Sequence, residues 1–226
     1  MFECITKSNT NPMIKLETKL PRHLYLACSG GVDSMACLDF LSKNHDVTVL
    51  HYNHGTAHGH IAERFVRGFC YKRRINYHVG VNREPPPPGL SREAFWREKR
   101  YNFLNDYSNA PIVTCHHLDD CVETWVWSCM HGNPRTIPYR RKSVIRPFRL
   151  TRKRDFQLWC DMHNVPYVED ESNEDIHYTR NYIRREMMPS VLKVNPGIHK
   201  TVKKIILKET SVAEVTTPLL SPSFVD

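Results

Sequence analysis

Between residues 23 and 130, short apolar runs alternate with longer stretches whose apolar residues recur at helical spacing, and this alternation limits the fold more than anything else in the chain. The runs lie at 23–29, 47–53, 77–81 and 112–115, and the helix-like stretches at 32–44, 61–74, 92–107 and 118–130. Strands joined through helices enter a sheet in the same direction, because only a long crossover returns the chain to the same edge. The expectation is an α/β fold, a Rossmann-like parallel sheet with helices on both faces and a small C-terminal helical extension. A fifth strand is expected within 143–148 and further helices at 152–163, 180–194 and from 198 to 215, with 218–226 as a tail. Ligands of such sheets bind beyond the carboxyl ends of the strands.

Several polar clusters fall at those strand ends. After the first run comes Ser29-Gly30-Gly31-Val32-Asp33-Ser34, a small-residue loop that opens a helix. Glycines let backbone N–H groups approach an anion, and the helix N-terminus adds partial positive charge. No lysine follows the glycines, so this is not the common nucleotide loop. Asp33 stands there instead and points to a metal-bridged pyrophosphate. An ordinary strand-to-helix turn with an Asp or Ser cap reads the same residues equally well. His51 and Asn53 follow the second run, and Cys115-His116-His117 the fourth.

Asp120 and Glu123 are three residues apart and share a helix face, with His116 just before it. Together they suit substrate or metal binding, although acids in a first turn also favour the helix dipole. Asp119 is expected to cap that helix. Arg97 lies four residues beyond Glu93, which allows either a surface ion pair or a clamp on phosphate. Acids at 169–175 followed by Arg180, Arg184 and Arg185 are consistent with a local ion network.

Net charge is +8, and its distribution is uneven. Residues 131–154 hold nine Lys or Arg and no acid, in a chain with 24 acids elsewhere. That imbalance favours a polyanionic partner over a merely solvated face. The eight cysteines form no C-x-x-C pair and read as small buried hydrophobes rather than a disulfide framework or metal site. No run approaches the roughly 18 apolar residues of a membrane span, and residues 1–11 lack a signal-peptide core. A cytoplasmic protein without membrane association is expected.

Taken in order, these blocks resemble the tRNA(Ile)-lysidine synthetase family of N-type ATP pyrophosphatases, in the PP-loop superfamily. The SGGxDS motif is Ser29–Ser34, HxNHG is His51–Gly55, and an EAxxREKRY-like run is Glu93–Tyr101. HHLDDxxET stands at His116–Thr124 and RPF at Arg146–Phe148. The most specific piece is Glu169-Asp170-x-Ser172-Asn173-x-Asp175, followed by Tyr178-x-Arg180-Asn181-x-Ile183-Arg184 and Met188-Pro189. The resemblance spans about residues 22–196 and divides the chain into an N-terminal extension (1–21), a PP-loop domain (22–150), a helical extension contacting tRNA (151–217) and a tail. It implies a short form lacking the further C-terminal domains of longer members.

The implied reaction joins free L-lysine to C2 of the wobble cytidine of tRNA(Ile) with a CAU anticodon, using ATP and Mg²⁺ through an adenylated cytidine. By this likeness Ser29, Gly30, Gly31, Val32, Asp33, Ser34, His51 and Asn53 bind ATP, with Asp33 also on the metal. Asp33, Arg97, His116, Asp120 and Glu123 carry the chemistry. Arg140, Arg141, Lys142, Arg180, Asn181 and Arg184 hold tRNA. Oligomeric state is left open, a dimer included. The competing readings are a tRNA 2-thiolation enzyme of the same superfamily and a non-catalytic tRNA-binding remnant.

Overall fold

The computed structural model describes residues 14–169, 175, 176 and 178–216. Its sheet has six strands in the order β3-β2-β1-β4-β6-β5. They are β1 (His23–Ala27), β2 (Asp46–Asn53), β3 (Asn76–Val81), β4 (Ile112–Val113), β5 (Arg140–Arg141) and β6 (Val144–Ile145). All neighbours run parallel except β5, which forms an antiparallel hairpin with β6. The fifth expected strand is thus real but short, and it brings the basic residues Arg140 and Arg141 to the sheet edge.

Helices α1 (Val32–Leu41), α2 (Ala57–Arg73), α3 (Arg92–Asn105) and α4 (Leu118–Met130) connect the strands, and α5 (Lys153–His163) follows the hairpin. Strand side chains alternate between faces, so the two sides of the sheet take different partners. Leu24, Leu26, Val47, Val49, Val113 and Ile145 pack with α1, α2 and α5. Tyr25, Leu50, Ile112 and Val144 face Leu104 of α3 and Tyr107 just beyond it. A separate apolar cluster joins α4 to the C-terminal helices through Val122, Ile183, Val202 and Ile206. Those helices are α6 (Thr179–Tyr182), α7 (Met188–Val194) and α8 (Ile198–Thr216), with a π-helical turn at Ile183–Met187 between the first two. The single helix expected over 180–194 therefore widens in its middle, a departure often found at functional sites.

β1 lies at the centre, with β2 and β3 to one side and β4 to the other. The chain reverses its direction of travel across the sheet here, which opens a crevice between the carboxyl ends of β1 and β4. The glycine loop leaves β1 at this point, and His116 and His117 leave β4.

The basic stretch 131–154 does not form one outward face. Arg146 and Arg149 are buried. The Arg149 guanidinium donates through Nε to Glu17 Oε2 at 2.9 Å and through Nη1 to the Ile137 carbonyl at 2.7 Å, and it also pairs with Glu209. Glu17 in turn accepts from Thr210 on α8 at 2.6 Å. The pair ties the N-terminal segment, the basic loop and α8 together. Both side chains are within 2% of full burial. Arg149→Met should therefore destabilise the fold by about 3–5 kcal/mol, because Glu17 is left charged and unpaired. Adding Glu17→Met should recover most of that loss. Urea unfolding of the single and double variants measures both effects.

Candidate active site at the strand ends

The glycine loop is organised from within by Ser34. Its hydroxyl accepts the Gly30 N–H at 3.1 Å and donates to the Gly31 carbonyl at 2.9 Å. Gly30 adopts φ +91°, and a Cβ there would sit 3.2 Å from Val168 and 3.3 Å from Val66. The Gly30 carbonyl accepts the Val168 N–H at 3.0 Å, so the segment after α5 straps the loop in place. No side chain caps α1 at Gly31. Its first N–H groups are left for an anion, as the loop's composition implies.

His117 rather than Asp119 caps α4. Its Nδ1 accepts the Asp120 N–H at 3.1 Å while Asp120 Oδ2 accepts the His117 N–H at 3.1 Å. With Nδ1 accepting, the ring proton sits on Nε2. That atom lies 3.7 Å from Asp33 Oδ2 and 3.5 Å from Asp120 Oδ1. A single imidazole thus joins the glycine loop to the acidic helix. Asp119 caps a different helix instead: its Oδ2 accepts the Lys153 N–H of α5 at 2.8 Å, and Oδ1 meets His199 at 3.1 Å. The Lys153 side chain lies 3.2 Å from Asp33. Lys153 and His117 thus join the residues at this crevice; the sequence places His117 in the rim cluster without a role of its own, and Lys153 only in the basic stretch.

Asp120 and Glu123 are both buried and share one face, as their spacing implied. Their partners are the arginines expected to hold tRNA. Arg184 grips Glu123 through Nε at 2.8 Å and Nη2 at 3.0 Å, and also reaches Asp120. Arg180 lies 2.7 Å from Asp120. Both guanidiniums turn inward, because two buried carboxylates need compensation. Burial alone would raise the Asp120 carboxyl, but His117, Arg180, His116 and Arg184 outweigh it and hold it below the usual range. Asn181 donates to the Asp175 carbonyl at 2.9 Å. The acidic block at 170–174 lies outside the described residues.

His116 is held by Thr114 Oγ1 at 3.0 Å. Burial pushes its ring down to about 3; Asp120 pulls upward, and Arg146, Arg180 and Arg100 push down. Burial thus favours the neutral ring, which exchanges a hydrogen bond with Thr114. Arg97 is exposed and lies over the Tyr101 ring at 5.1 Å. Arg100, one turn on, is the more buried of the two, and its charge bears on His116 and Arg180.

On β2, His51 Nδ1 donates to the Cys28 carbonyl at 2.9 Å and leaves Nε2 buried without a partner among the described residues. Asn53, expected on ATP, uses its amide inside the fold: it donates to Glu63 at 2.8 Å and accepts the Gly55 N–H at 2.8 Å. Arg140, Arg141 and Lys142 are exposed on the hairpin. Among the described residues, no cluster of three His, Cys, Asp or Glu is placed to hold a metal ion by itself, and no helix is long and apolar enough to cross a membrane.

The depressed histidines make stability fall as pH drops through 6.5. An unfolded chain takes a proton on His116 near 6.5, whereas the folded ring resists it down to about 3. His54 behaves alike, with burial pushing it to about 4. Unfolding free energy should therefore be fullest above pH 6.5 and fall as pH drops below it. The His116 share is on the order of 2 kcal/mol by pH 4.5. Urea midpoints at pH 7 and 4.5 measure this, and His116→Gln should flatten the difference.

The chain matches a PP-loop domain model over residues 5–191. It is 30% identical over 203 residues to the tRNA(Ile)-lysidine synthase of Thermotoga maritima, covering 81% of this chain and 49% of that protein. The enzyme of the same name from Francisella philomiragia is 29% identical over 199 residues, with 81% and 49% covered. The chain thus spans about half the length of the curated relatives it matches. Among solved structures, the U34-tRNA thiolase NcsA of Methanococcus maripaludis superposes with TM-score 0.67 over 92% of this chain and 77% of that one, at 14% identity, a likeness of fold alone. With its anion-ready loop at the crevice and a domain match over most of its length, the chain belongs to the PP-loop family.

Proposed function

We propose that the chain catalyses ATP-dependent attachment of free L-lysine to C2 of the wobble cytidine of tRNA(Ile) with a CAU anticodon. The observation that carries this reading is the His117 ring, whose Nε2 stands between Asp33 of the glycine loop and Asp120 of the acidic helix. A nucleotide-activating step and an amine-transfer step then share one crevice.

The loop amides and the uncapped end of α1 suit the phosphates of ATP. Asp33 and Lys153 flank that position from two elements. Asp33 is a single carboxylate, which fits the habit of Mg²⁺ of taking one or two carboxylates together with phosphate oxygens. When bound there, the ion would neutralise charge on the phosphates. The cytidine O2 attacks the α-phosphorus, the bond to pyrophosphate breaks, and C2 becomes an electrophile. The lysine amine then bonds to C2, AMP leaves with the oxygen, and the amine gives up a proton.

Free lysine holds that proton to about pH 10.4. The guanidiniums of Arg100, Arg146 and Arg180 around His116 favour a neutral amine beside them. Asp120 and Glu123 suit the substrate's other ammonium, and Arg180, half exposed, is the occupant such a cation would displace. The exposed hairpin residues Arg140, Arg141 and Lys142 suit the tRNA backbone.

Thiolation fits less well. The cysteines form no C-x-x-C pair to hold a cluster or carry a persulfide. Burial pushes the Cys28, Cys121 and Cys160 thiols up to about 12 and Cys70 to about 11, while Cys115 and Cys129 are half-buried. A tRNA-binding remnant would have no use for an intact loop beside Asp33.

Mass analysis of the wobble nucleoside after incubation with ATP, lysine and tRNA(Ile) tests the proposal. Lysidine is the expected product; ATP binding without any lysine-dependent product would overturn it. Asp33→Asn should reduce pyrophosphate release by at least about 100-fold, the scale of losing one charge-stabilising group. Asp120→Asn or Glu123→Gln should impair lysine transfer more than adenylation in single-turnover assays, and equal loss of both steps would contradict the roles given to them.

A further inference from the structure

Side-chain alternation along β2 and beyond it sends His51 and Asn53 towards α1 and α2, and Tyr52 and His54 towards α3. On the α3 side the rings form a connected array. The His54 ring stacks on Trp96 at 5.2 Å with planes 33° apart, and Tyr52 meets His54 edge-on at 5.2 Å. Phe103 backs Tyr52 at 5.6 Å. Trp96 itself is part-exposed, and the Arg92 guanidinium lies 5.7 Å from its ring centre.

Charge around this array is mainly positive. Arg92, Lys99 and Arg100 stand three or four residues from Trp96 on its side of α3, with Glu93 among them and Glu84 paired to Lys99. One turn along, Arg97 and Arg141 both lie over the Tyr101 ring, at 5.1 Å and 5.8 Å. Tyr101 thus joins α3 to the exposed hairpin carrying Arg140, Arg141 and Lys142. His54 Nδ1 is buried without a partner among the described residues.

A part-exposed flat ring beside a guanidinium has the make-up of a site for unpaired nucleotides: the π-face takes a base and the cation takes its phosphate. ATP is not the better occupant, because Gly30 of the glycine loop lies against Val66 of α2 and Val168, and α2 covers the other face of the sheet from Trp96. We propose that Trp96, supported by His54 and flanked by Arg92, stacks an unpaired base of the anticodon loop next to the reacting nucleotide. This rests on the RNA reading above and adds to it a base-holding surface.

Binding of an isolated anticodon stem-loop, measured by anisotropy without ATP or lysine, tests it. Trp96→Leu keeps apolar bulk but lacks the large π-face, and should weaken binding about 5- to 30-fold with an unchanged salt dependence. Trp96→Phe should stay close to the parent. Arg92→Ala should weaken binding and make it less salt-dependent. A 2-aminopurine placed in the loop should be quenched by the parent and not by Trp96→Leu. The proposal is overturned if Trp96→Leu binds the loop like the parent, loses as much affinity for fully paired RNA, or weakens ATP binding instead. Because no catalytic step enters the assay, failure to make lysidine leaves this result readable on its own.

Discussion

Crowding of like charge at the strand ends is the constraint around which the rest of this molecule is arranged. Asp33, Asp119, Asp120 and Glu123 converge where β1 and β4 end, and Asp120 and Glu123 are buried. Such a group is stable only if cations or N–H donors reach it from other elements. His117 lies between three of the acids, Lys153 and Arg152 arrive from the start of α5, and Arg180 and Arg184 arrive from α6 and the π-helical turn. The need for these partners draws the helices after the sheet onto the crevice.

The same compensation explains why the C-terminal half is not an appendage. Asp119 closes the N-terminus of α5 and holds His199 of α8 at once. Val168 straps Gly30, and Arg149 links Glu17 to Glu209. The rim is tied together because its charged groups have partners on more than one element, and pre-organisation of this kind is what the proposed stabilisation of growing phosphate charge would require.

The fold was largely legible in advance. Period-2 runs and helical spacing are local properties, so the strand and helix order, the parallel sheet and the rim bearing Ser29–Ser34 and His116–Glu123 followed from them. The widening at Ile183–Met187 did not, because a π turn preserves the helical pattern on either side. Among site residues, the loop and the acidic pair were visible through motif and spacing. The ion network expected around Arg180 and Arg184 draws in acids of α4, outside the block at 169–175, and Asp119 caps α5 instead of its own helix. Charge spacing along a chain does not say which distant element will come to meet it.

Residues 131–154 make the division clear. By itself the sequence determined that this stretch carries nine cations without an acid, and that the chain builds a parallel sheet with an anion-ready loop. Only the tertiary structure decided that Arg149 meets Glu17, that Arg152 meets Asp119, that Lys153 meets Asp33 across 120 residues, and that Arg140, Arg141 and Lys142 stay outside. Secondary structure follows from neighbours a few residues apart. Ion pairing follows from burial, which sets the cost of leaving a charge alone, and burial exists only once the layers have packed.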